Sequence, residues 1–210
     1  MDDKIEVNEK VAEKFNKYLH LQYEKFKRTA KISTPLKELV DKKNTKVANK
    51  KWQDSLVVDL SVMPQQNVVI SESSEGINFS TNINYLHENA LLYGSIRPYF
   101  RKCGFAVGID YVAGTVHQFV PRNLNIYLWI LATIQSDDFH NHADKKSQGS
   151  KMPVIGYETL VEYDVALPSG EELSEFNSSV HPFYAKVATG VKENRILKKL
   201  KEQYLKKFFN

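Results

Sequence analysis

The hydrophobic period of this chain changes twice, and the two changes limit what it can fold into. From about Val7 to Arg28 there is no Gly or Pro, and the run is rich in Glu, Lys and other good helix formers. Ile5, Ala12, Leu19 and Phe26 recur at seven, with Asn8, Phe15 and Gln22 three positions after the first three of them. That is a heptad pattern with a soft core, and Ser33-Thr34-Pro35 ends it because proline blocks helical continuation. After Gly170 the heptad returns and is sustained. Val180, Val187, Asn194, Lys201 and Phe208 form one seam position, and Phe176, Phe183, Gly190, Leu197 and Tyr204 the other. Pro182 and Gly190 weaken this helix, and Asn194 can fix register at some cost in stability.

Between the heptads the pattern shortens to β-branched runs divided by turn residues: Leu56 to Leu60, Asn67 to Ser71, Ala90 to Ile96, Gly104 to Ile109 and Gly114 to Val120. These predict strands. Asn123 is placed to cap one long helix carrying Ile126, Leu128, Trp129, Ile130, Leu131, Ile134 and Phe139, apolar on most faces and so buried. Gly156 to Pro168 reads as a short helical turn and a last strand, closed by Pro168-Ser169-Gly170. The expectation is an α+β chain in three segments: an N-terminal helix over 1–31, a mixed domain over 32–170 and a coiled-coil helix over 171–210. The single Cys103 excludes an internal disulfide framework, no apolar run approaches a membrane span, and MDDKIEVNEK lacks the layout of a secretion signal. A cytoplasmic, non-membrane protein is expected.

Charge is uneven rather than high. The net +4 does not by itself make a nucleic-acid binder, but Lys42, Lys43, Lys46, Lys50 and Lys51 form an acid-free cluster, and Arg195, Lys198, Lys199, Lys201, Lys206 and Lys207 load the C-terminus. Solvated lysine explains either cluster equally well. Catalytic patterns are missing. His140 and His142 differ by two positions and point to different helix faces, so no metal site is expected. Ser95 in GSIRP lacks the G-x-S-x-G elbow, Cys103 has no partner pattern, and neither phosphate-loop motif is present. No Asn-Pro-Pro-Tyr-like segment is present either. No catalytic residue and no cofactor is expected.

Four segments carry a likeness: LLYGSIRPYF at Leu91 to Phe100, GTVHQF at Gly114 to Phe119, FHNHA at Phe139 to Ala143 and SQGSKMPVI at Ser147 to Ile155. In this order the chain resembles the target recognition domain of type I restriction-modification specificity subunits, with a helix on either side. The resemblance implies a non-catalytic, half-length DNA-reading subunit with a curved mixed sheet and a coiled-coil arm. It further implies double-stranded DNA, a methyltransferase (modification) subunit and a restriction translocase as partners, and a homodimer that recreates the two-fold arrangement of a full subunit. The implied DNA contacts are Lys42, Lys43, Lys46, Lys50, Lys51, Arg97, Tyr99, Arg101, Lys102, Lys145, Lys146, Ser147, Gln148, Ser150 and Lys151. The implied dimer or partner interface is Leu19, Phe26, Phe176, Val180, Phe183, Val187, Asn194, Leu197, Tyr204 and Phe208. Against this stand two readings: an interaction protein or truncated relic that no longer reads DNA, and a small hydrolase using His117, Asp137 and His140. Arg97 can equally pair with a buried carboxylate.

Overall fold

The computed structural model describes Met1 to Phe209. Helix α1 (Asp2–Lys27) opens on Asp2 and Asp3 and closes on Lys25 and Lys27, the charge order that the helix dipole favours. Helix α6 (Gly170–Phe209) runs unbroken through Pro182 and Gly190. The two helices are antiparallel: Lys25 pairs with Glu175 at 3.2 Å, Asn8 donates to Asn194 at 2.7 Å, and Lys201 pairs with Asp2 at 2.7 Å.

The antiparallel pair is part of the main core. Phe15, Leu19, Tyr23 and Phe26 of α1 share one buried cluster with Phe176, Val180 and Val187 of α6 and with Trp129 of the central region. This corrects the expected interface. Leu19, Phe26, Phe176, Val180 and Val187 are interior, Phe183 packs against Phe15 and Tyr18, and Asn194 is buried against Asn8. Of the expected set, Tyr204 and Phe208 are exposed and Leu197 is half-buried. The heptad seam closes within one protomer because α1 supplies the apolar stripe that α6 needs.

The central region holds three small sheets. One joins β1 (Ile32–Pro35), which the short helix α2 (Leu36–Leu39) follows, to β11 (Asp164–Leu167), so the first and last strands close the domain. The second has the order β2 (Val40–Lys42), β10 (Val116–Pro121), β7 (Leu91–Gly94), β8 (Cys103–Ala106), β4 (Val69–Ile70). The third has the order β5 (Ser74–Glu75), β3 (Leu56–Val58), β9 (Tyr111–Ala113), β6 (Ile83–Tyr85). β4 pairs with β8 and β3 with β9 in parallel, and the other strand pairs are antiparallel. Gly104, at φ +150°, lies where a Cβ would fall 2.1 Å from the Val68 carbonyl oxygen, so the β8 backbone passes this segment only without a side chain.

The single long helix expected after Asn123 is two. Asn123 does cap, accepting from the Asn125 amide, but it caps a short 3-10 turn that leads into α3 (Tyr127–Gln135). Tyr127 to Ile134 are all buried. Ser136 then ends α3 in an extended conformation and caps α4 (Asp137–Lys146), its hydroxyl accepting from the Phe139 amide at 3.3 Å. Ser-Asp-Asp is a helix-start signal, a capping oxygen followed by acids in the first turn, and it outweighs the continuing apolar run. The short helix α5 (Tyr157–Leu160) precedes β11 as expected.

Candidate nucleic-acid interface

Residues 95–102 and 147–155, far apart in sequence, form one structure. β7 ends at Gly94, and both the amide and the hydroxyl of Ser95 donate to the Thr115 carbonyl, at 3.0 and 2.7 Å. Ile155 donates to Ser95 O at 2.9 Å and Arg97 to Pro153 O at 2.7 Å. Gln148 and Val154 exchange both backbone bonds, at 2.9 and 2.8 Å, across a turn in which Gly149 has φ +103°. His117 donates from Nε2 to Ile155 O at 2.9 Å. Three of the quoted segments therefore meet at the end of β7 and the start of β10.

Arg97 and Arg101 are left-handed, at φ 52° and 54°, on either side of the 3-10 turn Pro98–Phe100. Non-glycine residues take this conformation at a cost, and the bonds Arg97 N to Pro153 O, Phe100 N to Arg97 O and Arg101 N to Pro98 O hold it. The turn leaves Tyr99 exposed, its ring 4.7 Å from that of Phe100, and Met152 stands exposed on the facing segment.

The expected DNA contacts divide by what their charges already do. Arg101 is half-buried and paired with Asp137, half-buried Lys102 donates to the Leu60 carbonyl, and Lys42 binds Glu158 at 2.8 Å with its ammonium 4.9 Å from the Tyr157 ring centre. The charges of these three already have partners within the chain. The Ser147 hydroxyl donates to Asp144 O at 2.8 Å, at the end of α4. Arg97, Lys145, Lys146 and Lys151 are exposed, and no described carboxylate forms an ion pair with them. The side chains of Gln148 and Ser150 are exposed beside them. Lys145 and Lys146 occupy the last turn of α4, where the helix dipole favours cations.

Lys43, Lys46, Lys50 and Lys51 are also exposed and unpaired among the described residues, but they are carried by the third sheet. Val47 donates to Ile83 O at 3.0 Å and Tyr85 to Thr45 O at 2.8 Å, so this loop runs along β6. The loop turns at Asn49 and Lys50, both left-handed, and is anchored by Trp52, whose Nε1 donates to Phe79 O at 3.1 Å.

Sequence reasoning gave Gln118 no role. It is fully buried and makes three hydrogen bonds: Nε2 to Lys43 O and to Tyr85 O, each 3.0 Å, and Oε1 from the His87 amide, 3.0 Å. The available signal was period two, which sets Gln118 between Val116 and Val120 on an apolar strand face, where an amide must find partners.

The histidines do not assemble a catalytic group. His117 is spent on Ile155 O and its pKa is lowered by burial, while His140 bonds the Tyr93 hydroxyl from Nδ1 at 3.1 Å inside the core. Asp137 pairs with Arg101, and no described hydrogen bond links any two of His117, Asp137 and His140, which leaves the hydrolase reading without its geometry. Burial pushes the Cys103 thiol up to about 12, so it stays protonated. Among the described residues no group of three or more His, Cys, Asp or Glu side chains could hold a metal ion, and no helix is long and apolar enough to cross a membrane.

No family model and no curated protein matches this sequence. Among solved structures the chain is similar to a type I restriction-modification system S subunit from M. genitalium, with a TM-score of 0.53 over 98% of this chain at 15% identity. It covers 55% of that subunit, and so spans about half its length. A chain from a structure of the assembly and conformational transition of the type I R-M system is similar at 12% identity and a TM-score of 0.45, over 99% of this chain and 55% of that one. The mixed sheets between a long N-terminal and a long C-terminal helix are thus a fold shared with roughly half of the M. genitalium S subunit.

Proposed function

We propose that this chain is a non-catalytic DNA-specificity subunit of a type I restriction-modification system. In this reading its central domain reads one half of a bipartite target and directs methyltransferase and restriction subunits to it. The observation that carries the reading is the joining of residues 95–102 to 147–155 into one surface with exposed Arg97, Tyr99, Lys145, Lys146 and Lys151, on a fold shared with an S subunit. Unpaired cations around an exposed aromatic suit a phosphate backbone, with base choice left to neighbouring polar side chains such as Gln148. A homodimer formed through the helical arm would set two such domains in inverted orientation.

The test is DNA binding by the protein assembled with its methyltransferase subunit, measured over a range of salt concentrations. Lys151→Ala and Arg97→Ala should each make the slope of log affinity against log salt shallower by about 0.9, whatever the DNA sequence. Unchanged affinity and slope in both variants would remove the phosphate assignment. Normal assembly with no sequence preference would identify the chain as a relic that no longer reads DNA.

A further inference from the structure

We infer that Gln118 is the positioning residue of the lysine loop, holding Lys43, Lys46, Lys50 and Lys51 as a preformed cationic surface. The inference rests on the DNA-binding reading above. Gln118 lies on β10 of the five-stranded sheet, yet its partners belong elsewhere: Lys43 O is where the chain leaves that sheet, and Tyr85 O and His87 N lie at the end of β6 in the four-stranded sheet. One amide thus fastens the root of the loop to both sheets. Both amide hydrogens and the carbonyl oxygen are used, so no alternative orientation satisfies all three partners.

Beyond Gln118 the loop is held by few bonds. Two backbone bonds to β6, the Trp52 Nε1 bond to Phe79 O at 3.1 Å, the contact between Thr45 Oγ1 and His87 Nε2 at 3.1 Å, and the burial of Val47 and Trp52 complete its support. Its lysines are unpaired among the described residues, so only the backbone and these anchors keep four like charges together. A cationic loop ordered in advance binds phosphate without a further ordering cost. Cutting it loose at Lys43 restores that cost.

Gln118→Met keeps the side-chain volume and removes all three bonds, while Gln118→Glu keeps the acceptor for His87 and removes both donors. Hydrogen exchange should show faster exchange at the Val47 and Tyr85 amides in both variants, most in Gln118→Glu, whose carboxylate sets an acceptor against the Lys43 and Tyr85 carbonyls, with the β7 amides unchanged. If Gln118→Glu does not fold, Gln118→Met alone decides. In parallel, binding to a random-sequence DNA duplex is measured over salt for wild type, both variants and a Lys43/Lys46/Lys50/Lys51→Ala protein. The Gln118 variants should bind several-fold more weakly than wild type at every salt concentration with the slope kept, because the lysines remain and only their ordering is lost. The fourfold variant should also have a shallower slope, by up to about 0.9 per lysine lost. Unchanged exchange at Val47 and Tyr85 overturns the positioning role. Faster exchange with an unchanged affinity overturns its link to DNA. A wild-type protein without salt-dependent binding instead sinks the DNA reading, while the exchange result still reports on the loop.

Discussion

Tyr93 and His140 meet in the main core, the phenol oxygen 3.1 Å from Nδ1, with the Cys103 sulfur 4.0 Å from Nε2. Burial first, and then the charge of Arg101, lowers the His140 pKa to about 4, so the ring is neutral in the folded protein at neutral pH. In the unfolded chain it titrates at its ordinary value near 6.5. The unfolded state therefore takes up the proton first as pH falls. This contribution to stability is complete above about 6.5 and is lost progressively down to about 4, on the order of 3 kcal/mol in all. Urea unfolding at pH 7.5 and pH 4.5 should show wild type losing more stability than His140→Gln, by that order. Equal losses in the two proteins would refute the assignment. The spacing of His140 and His142 puts them on different faces of a helix, but their actual partners were not legible. Tyr93 is on another element, and only tertiary packing brings it to the ring.

At the scale of elements, the helix pair explains two residues that looked like defects in the sequence. Gly190 sits opposite Asn8, and a Cβ there would lie 3.2 to 3.3 Å from three side-chain atoms of Asn8. Asn8 donates to Asn194 Oδ1, Glu193 and Gly190 O, and Asn194 donates to Ile5 O at 3.3 Å. The glycine makes room for the amide pair that locks the register of α1 on α6. Gly190→Ala should therefore fail to deliver the ~1 kcal/mol that alanine gains over glycine within a helix. The same change in an Asn8→Ala background should deliver it, and thermal unfolding of the four proteins measures the difference. A full gain in the wild-type background would show that the fit around Asn8 is loose. Heptad spacing made both helices legible, and Asn194 as a register residue with them, because period is a local property. It could not say whether α6 pairs with α1 of its own chain. β6 and β9 were invisible for a related reason: three residues are too few to show a period, and pairing partners decide such strands.

For the whole molecule, the burial of the heptad seam changes which surface could join two copies. Asp2, the first residue of α1, pairs with Lys201, so α6 continues past its partner helix. Ile196 and Leu200 just before Lys201, and Tyr204 and Phe208 beyond it, recur at four-residue spacing, 61, 40, 55 and 65% exposed. Side chains four apart share a helix face, so these form one apolar stripe bordered by Lys199 and Lys207, three positions after Ile196 and Tyr204. The facing end of α1 is acidic at Asp3 and Glu6, both exposed. Two copies meeting tip to tip about a two-fold axis would cover each stripe with the other and set the lysines of one against the acids of the other. Sedimentation at micromolar concentration should give twice the 24.2 kDa of one chain. Leu200→Lys with Tyr204→Lys should return a monomer of unchanged helicity, since neither side chain belongs to the core. Lys199→Glu with Lys207→Glu should weaken self-association and restore it when mixed with an Asp3→Lys, Glu6→Lys protein. A strict monomer, both alone and with the proposed methyltransferase partner, would remove the two-fold arrangement while leaving the proposed DNA surface of each domain to be judged on its own binding.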